Sequence, residues 1–174
     1  MAPLVRRSWA PKGQPPVLLH KGGHREKVSV AAALWLSPER DRLRLFTRTL
    51  VNGYFNNRRV APFLGALVDE VGSPLVVVWD GGNMHKGDPI RDLLAGCDSR
   101  LVLEQLPAYG SELMPVEQLW AWLKYDRLAN LAPRDAHHLD DVVRAELATV
   151  EGDQRRLENF FHASRLPLPR TLLL

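Results

Sequence analysis

Leu75-Val76-Val77-Val78-Trp79-Asp80 is the stretch on which the fold turns. Five apolar residues, three of them valine, predict a short strand. Their lack of polar alternation predicts a central strand covered on both faces. Ser73-Pro74 leads into the run, and Gly81-Gly82-Asn83-Met84-His85 follows it as a glycine-containing loop. Asp80 therefore stands at the carboxyl end of a strand, where open α/β sheets place their ligands. An aspartate can also end a strand by bonding its own turn, and position alone leaves both roles open.

Upstream of this strand, Val60, Phe63, Leu64, Leu67 and Val71 recur at helical spacing, with Pro62 suited to a first turn and Gly72 to a C-terminal cap. Further back, Lys27–Leu36 is β-branched and then continuously apolar, predicting a strand buried on both faces for much of its length. Ser37-Pro38 ends it, Glu39-Arg40-Asp41 makes a polar turn, and Leu43, Leu45 and Phe46 continue as the second strand of a hairpin. Residues 1–25 are rich in proline and glycine and read as loops around a short strand at residues 17–19.

Downstream, a helix is predicted over 88–96 and a strand over 101–106. The remainder is helical: Val116, Leu119, Trp120 and Leu123 share one face, Leu139, Val142, Val143, Leu147 and Val150 another, and Leu157, Phe160 and Phe161 mark a last helix. A hairpin, then alternating helix and strand, then helices, is an α/β pattern with a mixed sheet.

The bulk numbers suit one soluble domain: 174 residues, 45% hydrophobic and 25% charged. No apolar run reaches the roughly 20 residues a membrane helix needs, and Met1–Arg7 lacks the apolar core of a signal peptide, so a cytoplasmic location is expected. Cys97 is the single cysteine and reads as a small buried side chain. The net charge of +3 permits a nucleic-acid partner without demanding one. Arg6, Arg7, Lys12, His20, Lys21, His24, Arg25 and Lys27 fall within the first 27 residues with Glu26 among them. They read either as a solvated loop surface or as a phosphate-contacting patch.

Glu117 is the second candidate carboxylate. It follows Pro115 in the first turn of a helix beginning near Met114, where a glutamate also serves to accept backbone N–H groups and offset the helix dipole. Glu112 and Glu104 are rivals that spacing does not exclude. The two stretches LVVVWDGGNMHKG and LEQLPAYGSELMPVEQLWAWLK together are far more specific. They closely resemble the second and third motifs of mariner-like insertion-sequence transposases, a branch of the DDE superfamily of endonucleases. In that family a strand ends in the Asp of a D-N-x-x-x-H loop, and the last acid stands in P-x-Y-S-P-[ED]-L-N-P-x-E-x-x-W. Pro107, Tyr109, Ser111, Glu112, Leu113, Pro115, Glu117 and Trp120 match the latter in order, while the proline before the acidic residue is absent and Met114 replaces the asparagine. Thirty-six residues lie between Asp80 and Glu117. The opening PLVRRSWAPKGQPPVLLH and the following REKVSVAAALWLSP also resemble the segment after the first acidic motif in bacterial members.

The resemblance implies an RNase H-like mixed sheet flanked by helices, forming residues 1–166, with 167–174 as a tail. It implies metal-dependent strand cleavage and transfer in DNA transposition, with Asp80 and Glu117 each holding one Mg²⁺. Two such ions about 3.5–4 Å apart supply the nucleophile, the in-line geometry and the sink for leaving-group charge in phosphodiester chemistry. Asn83 and His85 would shape the loop beside the phosphate, Trp120 and Trp122 would pack, and Lys86, Lys124 and the N-terminal cluster are the candidates for touching DNA. The implied partners are transposon ends and target DNA, a further copy of the chain, and an upstream-frame transposase segment. The last enters because the family's first acid, an Asp before the opening segment, has no counterpart: residues 1–38 contain no aspartate. The expectation is thus an N-terminally truncated chain that lacks the first, central strand and is inactive alone. The alternative is a non-catalytic DNA-binding or subunit-binding remnant.

Overall fold

The computed structural model describes residues 4–7, 9–17, 26–82, 86–107, 110–164 and 166. The strand expected at 17–19 falls mostly outside these residues, as do the tail and Asn83, His85 and Tyr109.

The hairpin forms as expected. β1 (Val28–Leu36) pairs antiparallel with β2 (Leu43–Val51), in register from Val28 opposite Val51 to Leu36 opposite Leu43. The Ser37 hydroxyl donates to Asp41 and accepts the N–H groups of Asp41 and Arg42, which fixes the turn. α1 (Asn57–Val71) opens on the Asn56 side chain, which accepts the Arg59 N–H, and closes on Gly72 at φ 67°, the left-handed conformation glycine adopts without strain. Because the helix begins at Asn57, Pro62 lies inside it and not in its first turn as the sequence suggests. β3 (Leu75–Trp79), α2 (Asp88–Gly96) and β4 (Leu101–Gln105) complete a right-sized crossover unit in which β3 and β4 are parallel.

After β4 come a 3₁₀ turn (Gly110–Leu113), α3 (Pro115–Trp122) and a π turn (Leu123–Arg127). Two longer helices follow, α4 (Ala136–Glu151) and α5 (Gln154–Ala163). Asp135 and Asp153 cap them, accepting the N–H groups of His138 and Arg156. Those backbone N–H groups, aided at Asp153 by the Arg156 guanidinium, hold both carboxyls below the usual aspartate range.

Two cores result. Leu43 and Leu45 of β2 pack with Leu119, Leu123, Leu139, Val143, Leu147, Val150, Leu157, Phe160 and Phe161, so α3, α4 and α5 cover one face of the hairpin. Phe46, with Ala33 and Trp35, joins Val60, Leu64, Leu67, Val68, Leu75, Ile90, Cys97 and Leu101, so α1 and α2 underlie both the other hairpin face and the β3–β4 pair. Cys97 is buried there as a free thiol.

Among the described residues the α/β fold is carried by two separate two-stranded sheets, β1–β2 antiparallel and β3–β4 parallel. This corrects one expectation. β3 is not covered on both faces: Val76 and Val78 are 64% and 52% exposed, since helices pack on one side of the pair alone.

Candidate functional site

Asp80 is placed where the sequence reading put it, directly after β3, with an exposed carboxylate. One of its oxygens accepts the Gly82 N–H at 3.0 Å, an Asx turn. A Cβ on Gly81 would lie 2.6 Å from the Gln105 amide nitrogen, so only glycine lets the chain pass the end of β4 without displacing that side chain. At the far end of the loop, Asn57 at the start of α1 donates to the Lys86 carbonyl at 2.9 Å. Gln105 and Asn57 were not singled out in the sequence, and nothing in their local pattern marks them. They matter because β4 is paired in register with β3 and because α1 starts beside the loop.

The Leu106 N–H bonds the Trp79 carbonyl at 2.9 Å, so the chain leaves β4 alongside Asp80 before turning into the 3₁₀ segment and α3. Glu117 is the third residue of α3. The helix's cap residue is Met114, which supplies no side-chain acceptor, so α3 begins without a capping box. Glu117 is exposed, while Leu119 on the opposite side is fully buried at 0% and fixes the helix against the hairpin. Among the described residues the Glu117 carboxylate makes no hydrogen bond or ion pair. Glu112 lies one turn earlier in the 3₁₀ segment, and Glu104 points from β4 to the same open side as Val102. No group of three His, Cys, Asp or Glu side chains converges closely enough to hold a metal ion among the described residues.

The cationic candidates divide. Arg6 is drawn onto the protein, donating to the Tyr125 carbonyl and to Asp126 and lying over the Tyr125 ring. Lys27 lies over the Tyr54 ring. Arg7, Lys12, Lys86 and Lys124 are exposed. Trp122 packs near Phe160 and carries the guanidiniums of Arg127 and Arg156 at 5.7 and 5.1 Å, so its ring is built into the helical layer. Glu146 bonds Arg127 through both oxygens and holds its guanidinium still more firmly protonated.

A family model described as DDE superfamily endonuclease matches residues 2–140, a span that contains both Asp80 and Glu117. The chain belongs to the DDE superfamily of endonucleases. Its fold is similar to that of Mos1 transposase, whose catalytic domain is RNase H-like. The "Mos1 transposase paired-end complex with left transposon end" matches with a TM-score of 0.57 at 15% identity, over 93% of this chain and 47% of that one. The Mos1 strand transfer complex matches with a TM-score of 0.59 at 17% identity, over 92% and 46%. The Mos1 mariner paired-end complex with Mn matches at 0.56 and 16%, over 92% and 49%. The chain thus spans about half the length of these structures. No curated protein sequence matches it. Among the described residues no helix is long and apolar enough to cross a membrane.

Proposed function

We propose that this chain is the core of a DDE transposase catalytic domain and that Asp80 and Glu117 are two of its metal-binding carboxylates. The observation that carries this reading is the family match across both residues, one at a strand's carboxyl end and the other in the first turn of α3. The donor chemistry suits Mg²⁺ or Mn²⁺: both side chains are hard, exposed oxygen donors, and Mg²⁺ keeps several waters and asks for few carboxylates. When bound, such ions activate a hydroxyl nucleophile and neutralise the leaving oxygen. Asp80 would hold its ion at the mouth of the loop, with the Gly82 N–H orienting the carboxylate. Glu117 would present its carboxylate from a helix anchored by Leu119. Transposon-end and target DNA are the proposed substrates, and the exposed Lys86 and Lys124 the proposed phosphate contacts.

Two carboxylates make an incomplete two-metal site. Cleavage is therefore proposed to need a further carboxylate from polypeptide outside the described residues, and the chain alone to be inactive. The absence of a converging third acid among the described residues equally supports a second reading, a non-catalytic DNA-binding or subunit-binding role. The test is Mn²⁺ titration of the full chain by calorimetry, with Asp80→Asn and Glu117→Gln variants, beside a plasmid-nicking assay. Weak Mn²⁺ binding lost in both variants supports the metal site. Binding indifferent to both overturns it, and nicking by the chain alone overturns the proposed incompleteness.

A further inference from the structure

The connection from β2 to α1 is short and pinned along its length. The Asn52 N–H donates to the Lys27 carbonyl, and the Asn52 side chain accepts the Lys27 N–H at 3.1 Å. The Ser29 hydroxyl donates to the Gly53 carbonyl at 2.7 Å, and the Arg59 guanidinium to the Tyr54 carbonyl at 2.9 Å. Phe55 packs against the α1–α2 core, and Asn56 caps the helix. Between these anchors Tyr54 is 72% exposed. Lys27 lies over one face of its ring, so the exposure belongs to the other face and the edge.

A single exposed ring is ordinary, and it is the surroundings of this one that point to a ligand. The stretch Val51–Arg59 contains no acidic residue. Arg58 and Arg59 are exposed, and Asn57 ties the backbone of the exposed Lys86 to the same end of α1. Among the described residues none of Lys27, Arg58, Arg59 and Lys86 is ion-paired. The positive end of the α1 dipole adds to this charge. Cations alone would suit any polyanion, and an acidic peptide would leave the ring unused. A flat ring with one free face among unneutralised cations suits a nucleobase and its phosphates.

We propose that Tyr54 is a stacking platform for an unpaired nucleobase, with Arg58 and Lys86 contacting the phosphates of the strand that carries it. A base within a duplex has both faces covered by its neighbours, so the ring takes a base at a strand end or in a single-stranded overhang. The proposal rests on the reading of Asp80 as the centre of a DNA-cleaving site, and it makes Tyr54 a positioning residue for the DNA end. Stacking of this kind carries little base preference, because every base has a π-face.

The experiment is fluorescence anisotropy of the full chain in EDTA at fixed salt. It compares a blunt duplex with the same duplex carrying a single-stranded extension of about five nucleotides that includes 2-aminopurine. Wild type is expected to bind the extended duplex more tightly and to quench the 2-aminopurine. Tyr54→Ala is expected to weaken that binding by about 5- to 100-fold, abolish the quenching and leave the blunt duplex unaffected. Tyr54→Phe keeps the ring and is expected to match wild type in both readouts. Arg58→Ala is expected to weaken both DNAs alike and to make the salt dependence shallower by about one phosphate contact. The proposal is overturned by equal wild-type binding of the two DNAs, by an equal loss on both in Tyr54→Ala, by quenching that survives in that variant, or by a Tyr54→Phe variant as weak as it. No metal enters the assay. A failed stacking result beside intact Mn²⁺ binding counts against Tyr54 alone, and the reverse counts against Asp80 and Glu117 alone.

Discussion

Gln154 closes the outer edge of the hairpin at Leu43. Its side-chain carbonyl accepts the Leu43 N–H at 3.0 Å, and its amide donates to the Leu43 carbonyl at 2.7 Å. The first residue of α5 thereby imitates a neighbouring strand for one residue pair. Leu43 is 3% exposed, so without Gln154 both of its backbone groups would be buried and unmatched. Gln154→Ala is expected to cost about 1–3 kcal/mol in chemical denaturation. Gln154→Glu is expected to cost nearly as much, because a carboxylate accepts the N–H but cannot donate to the carbonyl. A Glu variant as stable as wild type would show that the pair adds nothing.

Leu157 is fully buried at 0% between α5, α4 and the hairpin. Leu157→Ala leaves a cavity in a close-packed core and is expected to lower stability by about 2–5 kcal/mol. Leu119→Ala is expected to cost a similar amount and also to loosen the first turn of α3. Its effect on Mn²⁺ affinity, read by calorimetry under conditions where the chain remains folded, should exceed that of Leu157→Ala. Equal effects of the two variants would argue that Glu117 does not depend on the seating of α3.

The helix caps predict an acid dependence. The Asp135 and Asp153 carboxyls are held below their ordinary range, so their charged forms favour the folded state. That contribution is fully present above the ordinary aspartate pKa of about 3.9 and fades as pH falls through the lower folded values. Asp153→Asn keeps an acceptor but removes the charge. It is expected to lower Tm by roughly 2–4 °C at neutral pH and to converge with wild type in strong acid. A Tm difference that stays constant down to about pH 2 would contradict this sign.

Asp80→Ala and Asp80→Asn separate two roles at one position. If the carboxylate served only to hold the Gly82 N–H, Asn would largely replace it. As a metal ligand it has no neutral substitute, so both variants are expected to weaken Mn²⁺ binding at least about tenfold, with the Asn variant close to wild type in Tm. Recovery of Mn²⁺ binding in the Asn variant alone would return Asp80 to a purely structural part.

The strands and helices were legible because their apolar periods are unambiguous: β1, β2, β3, α2 and α5 lie where the patterns of residues 27–36, 43–46, 75–79, 88–96 and 157–161 put them. Val76 and Val78 show where such reading ends. An apolar run states that a strand is suited to being covered, whereas the covering depends on which other chain segments are at hand. Pro62 shows a second limit, since a capping asparagine four residues before the first apolar position, Val60, starts α1 early enough to leave the proline inside it. At the proposed site, Asp80 and Glu117 were singled out through their motifs. Gln105 and Asn57 were not, because a side chain that approaches a loop from a separate element leaves no local signature.

Pro62 also bears on how Lys86, beyond Asp80 in the chain, is held. Having no N–H, it leaves the Arg58 carbonyl without the helical bond due to it, so the first turn of α1 is joined to the rest by a softer link than an unbroken helix provides. Asn57 lies in that first turn and holds the Lys86 carbonyl at the end of the loop. The Lys86 carbonyl is therefore tied to the part of α1 that precedes the proline. Leu64, Leu67 and Val68, further along the helix, are buried in the core with Leu75 and Leu101 of the parallel strand pair. Asp80 and Lys86 thus rest on different supports, the end of β3 for the one and the opening turn of α1 for the other.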